Sequence, residues 1–193
     1  MKKDIVQKYI QALVPIDSEK VAVVVENFEF VAIEKNTFLL KEKQVSQATF
    51  FLESGFVRSY ILDNDGNEVT TNIFSAPVFV NDFLSFFKQQ PTKENYQAMT
   101  NCTLWKLGYA EVQKSFHGIP EFREFGRMML ITNYSKLNDR MLGMIKDTAE
   151  ARYLSLLAQH PDILQNVPLK IIASHLGIND TSLSRIRKDL IKK

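Results

Sequence analysis

The sequence predicts an α+β fold in which a strand-rich N-terminal part is followed by a helical C-terminal part. Three observations indicate this. Short apolar runs separated by polar or glycine-containing turns fill residues 28–107, a pattern typical of strands. A long helical period begins near residue 120, and residues 168–193 form a compact helical pair around Gly177. With 193 residues and 45% hydrophobic content, the chain can fold as one large domain or two modest ones.

The region before the strands is predicted to contain two short helices within residues 3–26. Ile5, Tyr9 and Leu13 recur on one face at helical spacing, and Pro15 then interrupts the pattern. Asp17 or Ser18 is placed to cap the second helix.

The strand region is predicted to be a sandwich or barrel, because many short strands alternate with turns. Its clearest strand segments are residues 28–33, 37–40, 49–52 and 56–62. The sequence Asp63-Asn64-Asp65-Gly66 predicts a hairpin, since Asn and Gly tolerate positive φ. Residues 81–90 interrupt the strands and are predicted to form one or two helical turns.

A single long helix is predicted over residues 120–146, with Pro120 at its first position. Apolar residues step along it by 4, 3, 4 and 3, which is a heptad spacing. The members of this seam are Leu130, Tyr134, Leu137, Met141 and Met144. One interpretation is a helix buried only on its own domain. The other, favoured by the spacing, is a dimer interface along a rod of about 39 Å.

Residues 168–193 predict a helix-turn-helix. Gly177 lies where the chain must turn sharply, and Asn179 or Asp180 is placed to cap the second helix. Leu183, Ile186 and Leu190 form the packed face of that helix. The other faces are polar or basic, as a DNA-reading helix requires. The predicted DNA-binding residues are Asp180, Thr181, Ser182, Ser184, Arg185, Arg187, Lys188 and Lys192.

The charge distribution supports a nucleic-acid contact at this end of the chain. Residues 168–193 contain six Lys or Arg and two Asp, a net charge of +4. Because the whole chain carries +2, the remainder sums to −2. A basic block at one end of an acidic chain is typical of nucleic-acid binding.

Several other function classes are not expected. The three histidines, His117, His160 and His175, lie outside the strand region, so a barrel metalloenzyme has no ligands there, and we predict no enzyme and no metal site. One cysteine, Cys102, excludes an internal disulfide and is expected to be a small buried side chain. Without an apolar membrane span or signal peptide, the chain is predicted to be cytoplasmic, with no membrane partner.

The alternative to a DNA-binding protein is a ligand-binding module that signals through protein contacts.

The motifs resemble those of the Crp/Fnr transcription regulators. The resemblance rests on residues 169–188 (LKIIASHLGINDTSLSRIRK), on 55–60 (GFVRSY) with the hairpin after it, and on 148–157 (TAEARYLSLL). It implies a cyclic-nucleotide-binding-like jelly-roll sensor over 1–119, a dimerisation helix over 120–146 and a DNA-binding domain over 147–193. It also implies a homodimer on double-stranded DNA, with RNA polymerase as a further partner touched through exposed loops. By position, the base-contacting set is Asp180, Thr181, Ser184 and Arg185.

Two departures from the family pattern limit what the resemblance implies. The family's Glu and Arg for a cyclic nucleotide align with Asp82 and Thr92, beside Lys93, and Lys cannot reproduce the bidentate Arg contact. We therefore predict no cAMP binding and leave open another small effector or none. The predicted effector pocket comprises Asn81, Asp82, Phe83, Thr92 and Lys93. The family's β-hairpin wing after the last helix has no counterpart before Lys193.

Overall fold

The computed structural model describes residues 3–192, without the side chain of Lys192. Two four-stranded antiparallel sheets face each other in the N-terminal part, with strand orders β1-β8-β3-β6 and β2-β7-β4-β5. The strands are β1 (Glu29–Ile33), β2 (Phe38–Leu40), β3 (Ala48–Ser54), β4 (Phe56–Leu62), β5 (Glu68–Ser75), β6 (Val78–Val80), β7 (Asn95–Ala98) and β8 (Cys102–Gly108). This β-roll confirms the predicted sandwich or barrel.

The helices lie before, within and after the roll. They are α1 (Asp4–Leu13), α2 (Ser18–Glu26), α3 (Phe83–Lys88), α4 (Tyr109–Gly118), α5 (Pro120–Lys146), α6 (Ala149–Gln159), α7 (Ile163–Asn166), α8 (Leu169–His175) and α9 (Asp180–Lys192). The predicted α+β class is confirmed, with the helical turns of α3 interrupting the strands where expected. Within residues 3–192, none of the helices has both the length and the apolar character needed to span a bilayer.

The β4–β5 hairpin forms at the predicted turn. Gly66 has φ +80°, which its missing side chain permits. The Asp63 carboxylate accepts hydrogen bonds from the amides of Asp65 (2.9 Å) and Asn67 (2.8 Å). These bonds, led by the one from Asn67, lower the pKa of Asp63. The side chain of Asp63 thus stabilises the turn.

The outer face of the first sheet is covered by helices. Its aromatic residues Phe51, Phe79 and Trp105 share one buried cluster with α1, α2 and the start of α5. On α1, Val6 and Ile10 are fully buried, whereas the predicted face of Ile5, Tyr9 and Leu13 is only partly buried. The predicted face therefore packs against the core, beside the more deeply buried row of Val6 and Ile10.

The long helix α5 spans the predicted residues with Pro120 in its first turn. Its buried residues are confined to the N-terminal end and are Phe122, Phe125, Gly126 and Met129. Gly126 is required there, since a side chain at this position would meet the Phe116 ring. Beyond Met129 the helix leaves the core, although its apolar residues continue.

The C-terminal helices pack on the outer face of the second sheet. Phe56, Ile73 and Met99 of the roll share a buried cluster with residues of α6, α7, α8 and α9. The chain therefore has four layers in order: the α1–α2–α5 helices, the first sheet, the second sheet, and the C-terminal helices.

Candidate nucleic-acid interface

The α8–α9 pair forms where the sequence predicts two helices joined by a sharp turn. Gly177 has φ +69°, and a side chain there would collide with Met144 of α5. The side-chain oxygen of Asn179 accepts a hydrogen bond from the Ser182 amide at 2.8 Å, so Asn179 caps α9. Leu183 is only 1% exposed and fixes the helix against α8. The second helix is thus anchored at its first turn.

The face of α9 opposite Leu183 is open to solvent. Exposed positions of the predicted DNA-binding set are Asp180, Thr181, Ser184, Arg185 and Lys188. Ser182 and Arg187 are half-buried at the edges of this face, and the side chain of Lys192 lies outside the described residues. We call the five exposed residues the α9 polar face.

The cations of α9 are free to meet a partner. In the part of the chain that the structure describes, Arg185, Arg187 and Lys188 make no salt bridge or hydrogen bond through their side chains. Over 13 residues, at a rise of about 1.5 Å each, α9 is about 20 Å long. Short polar groups lie near its N-terminus and cations further along, a distribution suited to base edges and phosphates respectively.

The helix pair is held against β5 of the roll through α8. The Thr70 amide donates a hydrogen bond to the Ser174 hydroxyl oxygen at 2.9 Å. The Ser174 hydroxyl in turn donates to the Glu68 carbonyl at 3.4 Å. Because α8 makes these contacts, the α9 polar face is left uncovered.

Arg140 joins three parts of the chain at this junction. Its guanidinium donates to the carbonyls of Thr71 and Thr70 on β5, and to the His175 carbonyl at the end of α8 (3.0 Å). The long helix, the roll and the helix pair therefore meet at one side chain. Sequence reasoning missed Arg140 and Ser174, because no local pattern distinguishes them from other polar helix residues.

His175 lies beside Arg140 with a buried ring. Its Nδ1 has no hydrogen-bond partner among the described residues, and the same holds for the nearby Thr70 hydroxyl. Burial, followed by the charges of Arg140 and His160, lowers the pKa of His175 to about 3. The imidazole is therefore neutral across the physiological range.

The residues of the predicted effector pocket have different surroundings in the structure. Asp82 caps α3: one carboxylate oxygen accepts from the Ser85 amide (2.9 Å) and the other from the Thr92 hydroxyl (2.5 Å). Lys93 is exposed and forms no ion pair in the described residues. Asp82 and Thr92 are thus brought together, but the Thr92 hydroxyl already donates its hydrogen bond to the Asp82 carboxylate.

Two carboxylates lie close together on the segment that follows α3. The Glu94 carboxylate accepts from the Tyr96 hydroxyl at 2.8 Å. The pKa of Tyr96 is raised far above its usual value by burial and then by the negative charges of Glu94 and Asp82. The carboxylates of Asp82 and Glu94 therefore both lie close to Tyr96 and make this segment acidic.

Asn81 and Phe83, the other two predicted pocket residues, line a separate apolar cavity. It lies between the roll, α4 and α5, and has a volume of about 40 Å³. The Asn81 side-chain oxygen is buried there without a partner. This space is far too small for a nucleotide and is of the size that holds about one buried water. Asn81 and Phe83 thus line this cavity, whereas Asp82 turns away from it to bond Ser85 and Thr92.

The predicted seam of α5 is solvent-exposed in the single chain. Tyr134 is 71% exposed and Leu137 64%, and Leu130, Met141 and Met144 are also exposed. Ile131, Leu142 and Ile145, which also lie beyond Met129, add further exposed apolar surface to this part of the helix. A row of large apolar side chains exposed along one helix is typical of an interaction surface.

The remaining candidate groups are structural. Cys102 is buried, as predicted, and burial raises the pKa of its thiol. Among residues 3–192, no cluster of three or more His, Cys, Asp or Glu is arranged to hold a metal ion.

Known protein families and solved structures share this architecture in part or in full. Residues 30–117 match the family model of the cyclic nucleotide-binding domain. No curated protein matches the chain. FixK2 from Bradyrhizobium japonicum is similar in structure, with a TM-score of 0.73, 15% identity, and coverage of 86% of this chain and 85% of FixK2.

Two further solved structures have the same arrangement. A crp/fnr-family transcriptional regulator from Eubacterium rectale gives a TM-score of 0.70 at 16% identity, covering 92% of this chain and 85% of its own. A CooA variant from Carboxydothermus hydrogenoformans gives 0.67 at 20% identity, covering 89% and 79% respectively. The chain therefore has the α+β fold of the Crp/Fnr regulators, and its residues 30–117 are similar to a cyclic nucleotide-binding domain.

Proposed function

We propose that the protein is a sequence-specific transcription regulator that binds double-stranded DNA as a homodimer. The observation that carries this proposal is the α9 polar face, an exposed row of short polar and cationic side chains on a capped helix of a helix-turn-helix. In this proposal residues 1–119 form the sensor domain, 120–146 the dimerisation helix and 147–193 the DNA-binding domain.

The mechanism follows from the geometry of two such helices. In a two-fold dimer held by α5, the two α9 helices enter successive major grooves about 34 Å apart. Thr181, Ser184 and Arg185 then face base edges, while Arg187 and Lys188 face phosphates. A two-fold symmetric operator is the natural partner of this arrangement.

A selection from a random duplex pool at about 150 mM salt, close to physiological ionic strength, tests the proposal. We expect enrichment of a two-fold symmetric site. Binding of the pool at low salt only, without enrichment, would mean that the contact is electrostatic and not sequence-specific. The absence of binding at both salt concentrations would instead support a module that signals through protein contacts.

Replacing Arg185 by Ala is expected to weaken binding to the selected site by about 1–3 kcal/mol and to relax the preference at one base position. The matched variant Lys188→Ala, on the same exposed face, should weaken specific and random DNA alike and lower the salt slope by about one unit. Quantitative binding to both DNAs over a salt series distinguishes the two. An equal loss on both DNAs for Arg185→Ala would contradict a base-reading role.

Cyclic AMP is not expected to bind, because Asp82 is already satisfied by Ser85 and Thr92 and because Glu94 adds a second carboxylate. Isothermal titration calorimetry with millimolar cAMP should show no saturable heat. A saturable heat with one site per chain would contradict this prediction. A shift of the melting temperature with cAMP serves as an independent check, since a ligand that binds only the folded state stabilises it.

A further inference from the structure

A second cavity lies at one end of the roll, on the inner face of the first sheet. Its volume is about 400 Å³, within the range of about 300–1,000 Å³ typical of small-molecule sites. The walls come from β1, β2, β3 and β8 and from the loop that follows β2. The apolar side chains that line it are Val31, Ile33, Phe38, Leu39, Leu40, Val45, Ala48, Phe50 and Leu104.

One charged side chain belongs to this apolar wall. Lys106 alternates with Leu104 along β8, so both point to the inner face of the sheet, where Leu104 and Cys102 are buried in the core between the sheets. Lys106 is half-buried and lines the cavity. A lysine that faces the interior is normally paired, because a charge withdrawn from water without a partner is costly.

Lys106 has no such partner among residues 3–192. No salt bridge or hydrogen bond involves its side chain. Glu29 stands directly opposite on β1, at the Glu29–Lys106 register, but it is exposed and forms no ion pair with it. The cavity therefore combines a long apolar wall and a polar edge, formed by Gln44, Ser46 and Gln47, with one unpaired cation.

We propose that this cavity binds an apolar monocarboxylate of the fatty-acid class. The alkyl chain lies along the aliphatic and aromatic wall, where its burial supplies most of the affinity. The carboxylate pairs with the Lys106 ammonium, which is then satisfied in its half-buried position. A phosphate or cyclic nucleotide is disfavoured, since its denser negative charge would meet one cation, Lys106, in a cavity whose other lining residues are apolar except for the neutral Gln44, Ser46 and Gln47.

Ligand binding here can be tested independently of DNA binding. The cavity lies on the inner face of the first sheet, whereas the α9 polar face belongs to the helices packed on the second sheet, and binding is measured without DNA. Titration calorimetry with decanoate below its micelle concentration is the first test, with decanol as the matched neutral ligand. We expect one decanoate per chain and about tenfold weaker binding of decanol, which lacks the charge-assisted contact.

Two variants sharpen the test. Lys106→Gln should weaken decanoate about tenfold and leave decanol unchanged, whereas Lys114→Gln, an exposed lysine on α4, should change neither. Val31→Phe should fill part of the cavity and reduce the binding of both ligands, with circular dichroism confirming that the fold is retained. The proposal is overturned if the wild type does not bind decanoate, if decanol binds as tightly, or if Lys106→Gln keeps the preference for the carboxylate.

Discussion

Replacing Leu137 by Asp is expected to convert the protein to a monomer and to abolish tight binding to a two-fold operator. Leu137 is the centre of the seam, is 64% exposed in the single chain, and makes no core contact that would explain a large apolar side chain there. In a two-fold dimer around α5, the substitution places two carboxylates near each other in an apolar interface. The desolvation and repulsion of these charges should raise the dimer dissociation constant at least about 100-fold.

Sedimentation velocity over a concentration series measures this change. The matched control is Ser135→Asp, which adds the same charge to an exposed position of α5 outside the seam and should leave the association unchanged. A dimeric Leu137→Asp variant would show that another surface holds the two copies together. A wild-type protein that is monomeric at micromolar concentration would contradict the proposed dimer directly.

The elements with a strong local signal were predictable from the sequence. The β4–β5 turn followed from Asp63 and Gly66, whose bonding and positive φ are fixed within five residues. The bounds of α5 followed from Pro120 and a helical period continued to Lys146. In the helix pair, the positions of Gly177 and Asn179 followed from the same kind of local chemistry. In each case the residues that determine the structure are close in the chain.

The surroundings of the residues in the predicted effector pocket could not be derived from the sequence, for a different physical reason. An alignment without gaps assigns positions along the chain but not the direction of each side chain. Asp82 turns back to cap α3, and Asn81, its neighbour, faces the cavity beside α5. Adjacent residues at a strand end commonly point to opposite sides, so membership in one pocket cannot be derived from sequence proximity.

The junction between the roll and the helix pair could not be predicted either. Ser174 accepts a hydrogen bond from Thr70, although 104 residues separate them in the sequence. Arg140 donates one to Thr70 across a sequence separation of 70 residues. These contacts depend on how α8 is placed on β5, which is decided by the packing of Phe56 and Ile73 and not by a local motif. The apolar pattern predicted that α8 and α9 would pack, but not on which surface.

This junction should make the protein sensitive to mild acid. The pKa of His175 is about 3 in the folded chain, against an ordinary value of 6.5. Between these two values the unfolded state binds the proton and the folded state does not, so the free energy of unfolding falls as the pH falls. From pH 7 to pH 5 the loss due to this group is about 2 kcal/mol, and full stability is present only above about pH 6.5.

The variant His175→Gln is expected to remove most of this loss. Denaturant unfolding at pH 7, 6 and 5 measures it, and the range stops above the titration of ordinary carboxyl groups. His160, whose pKa is lowered by burial and by Lys136, contributes in the same direction and should account for the remainder. Gln165→Ala, at an exposed and non-ionisable position of α7, is the control and should leave the pH dependence as it is. If the wild type and His175→Gln lost equal stability between pH 7 and pH 5, the buried neutral imidazole at the Arg140 junction would not control the response to acid.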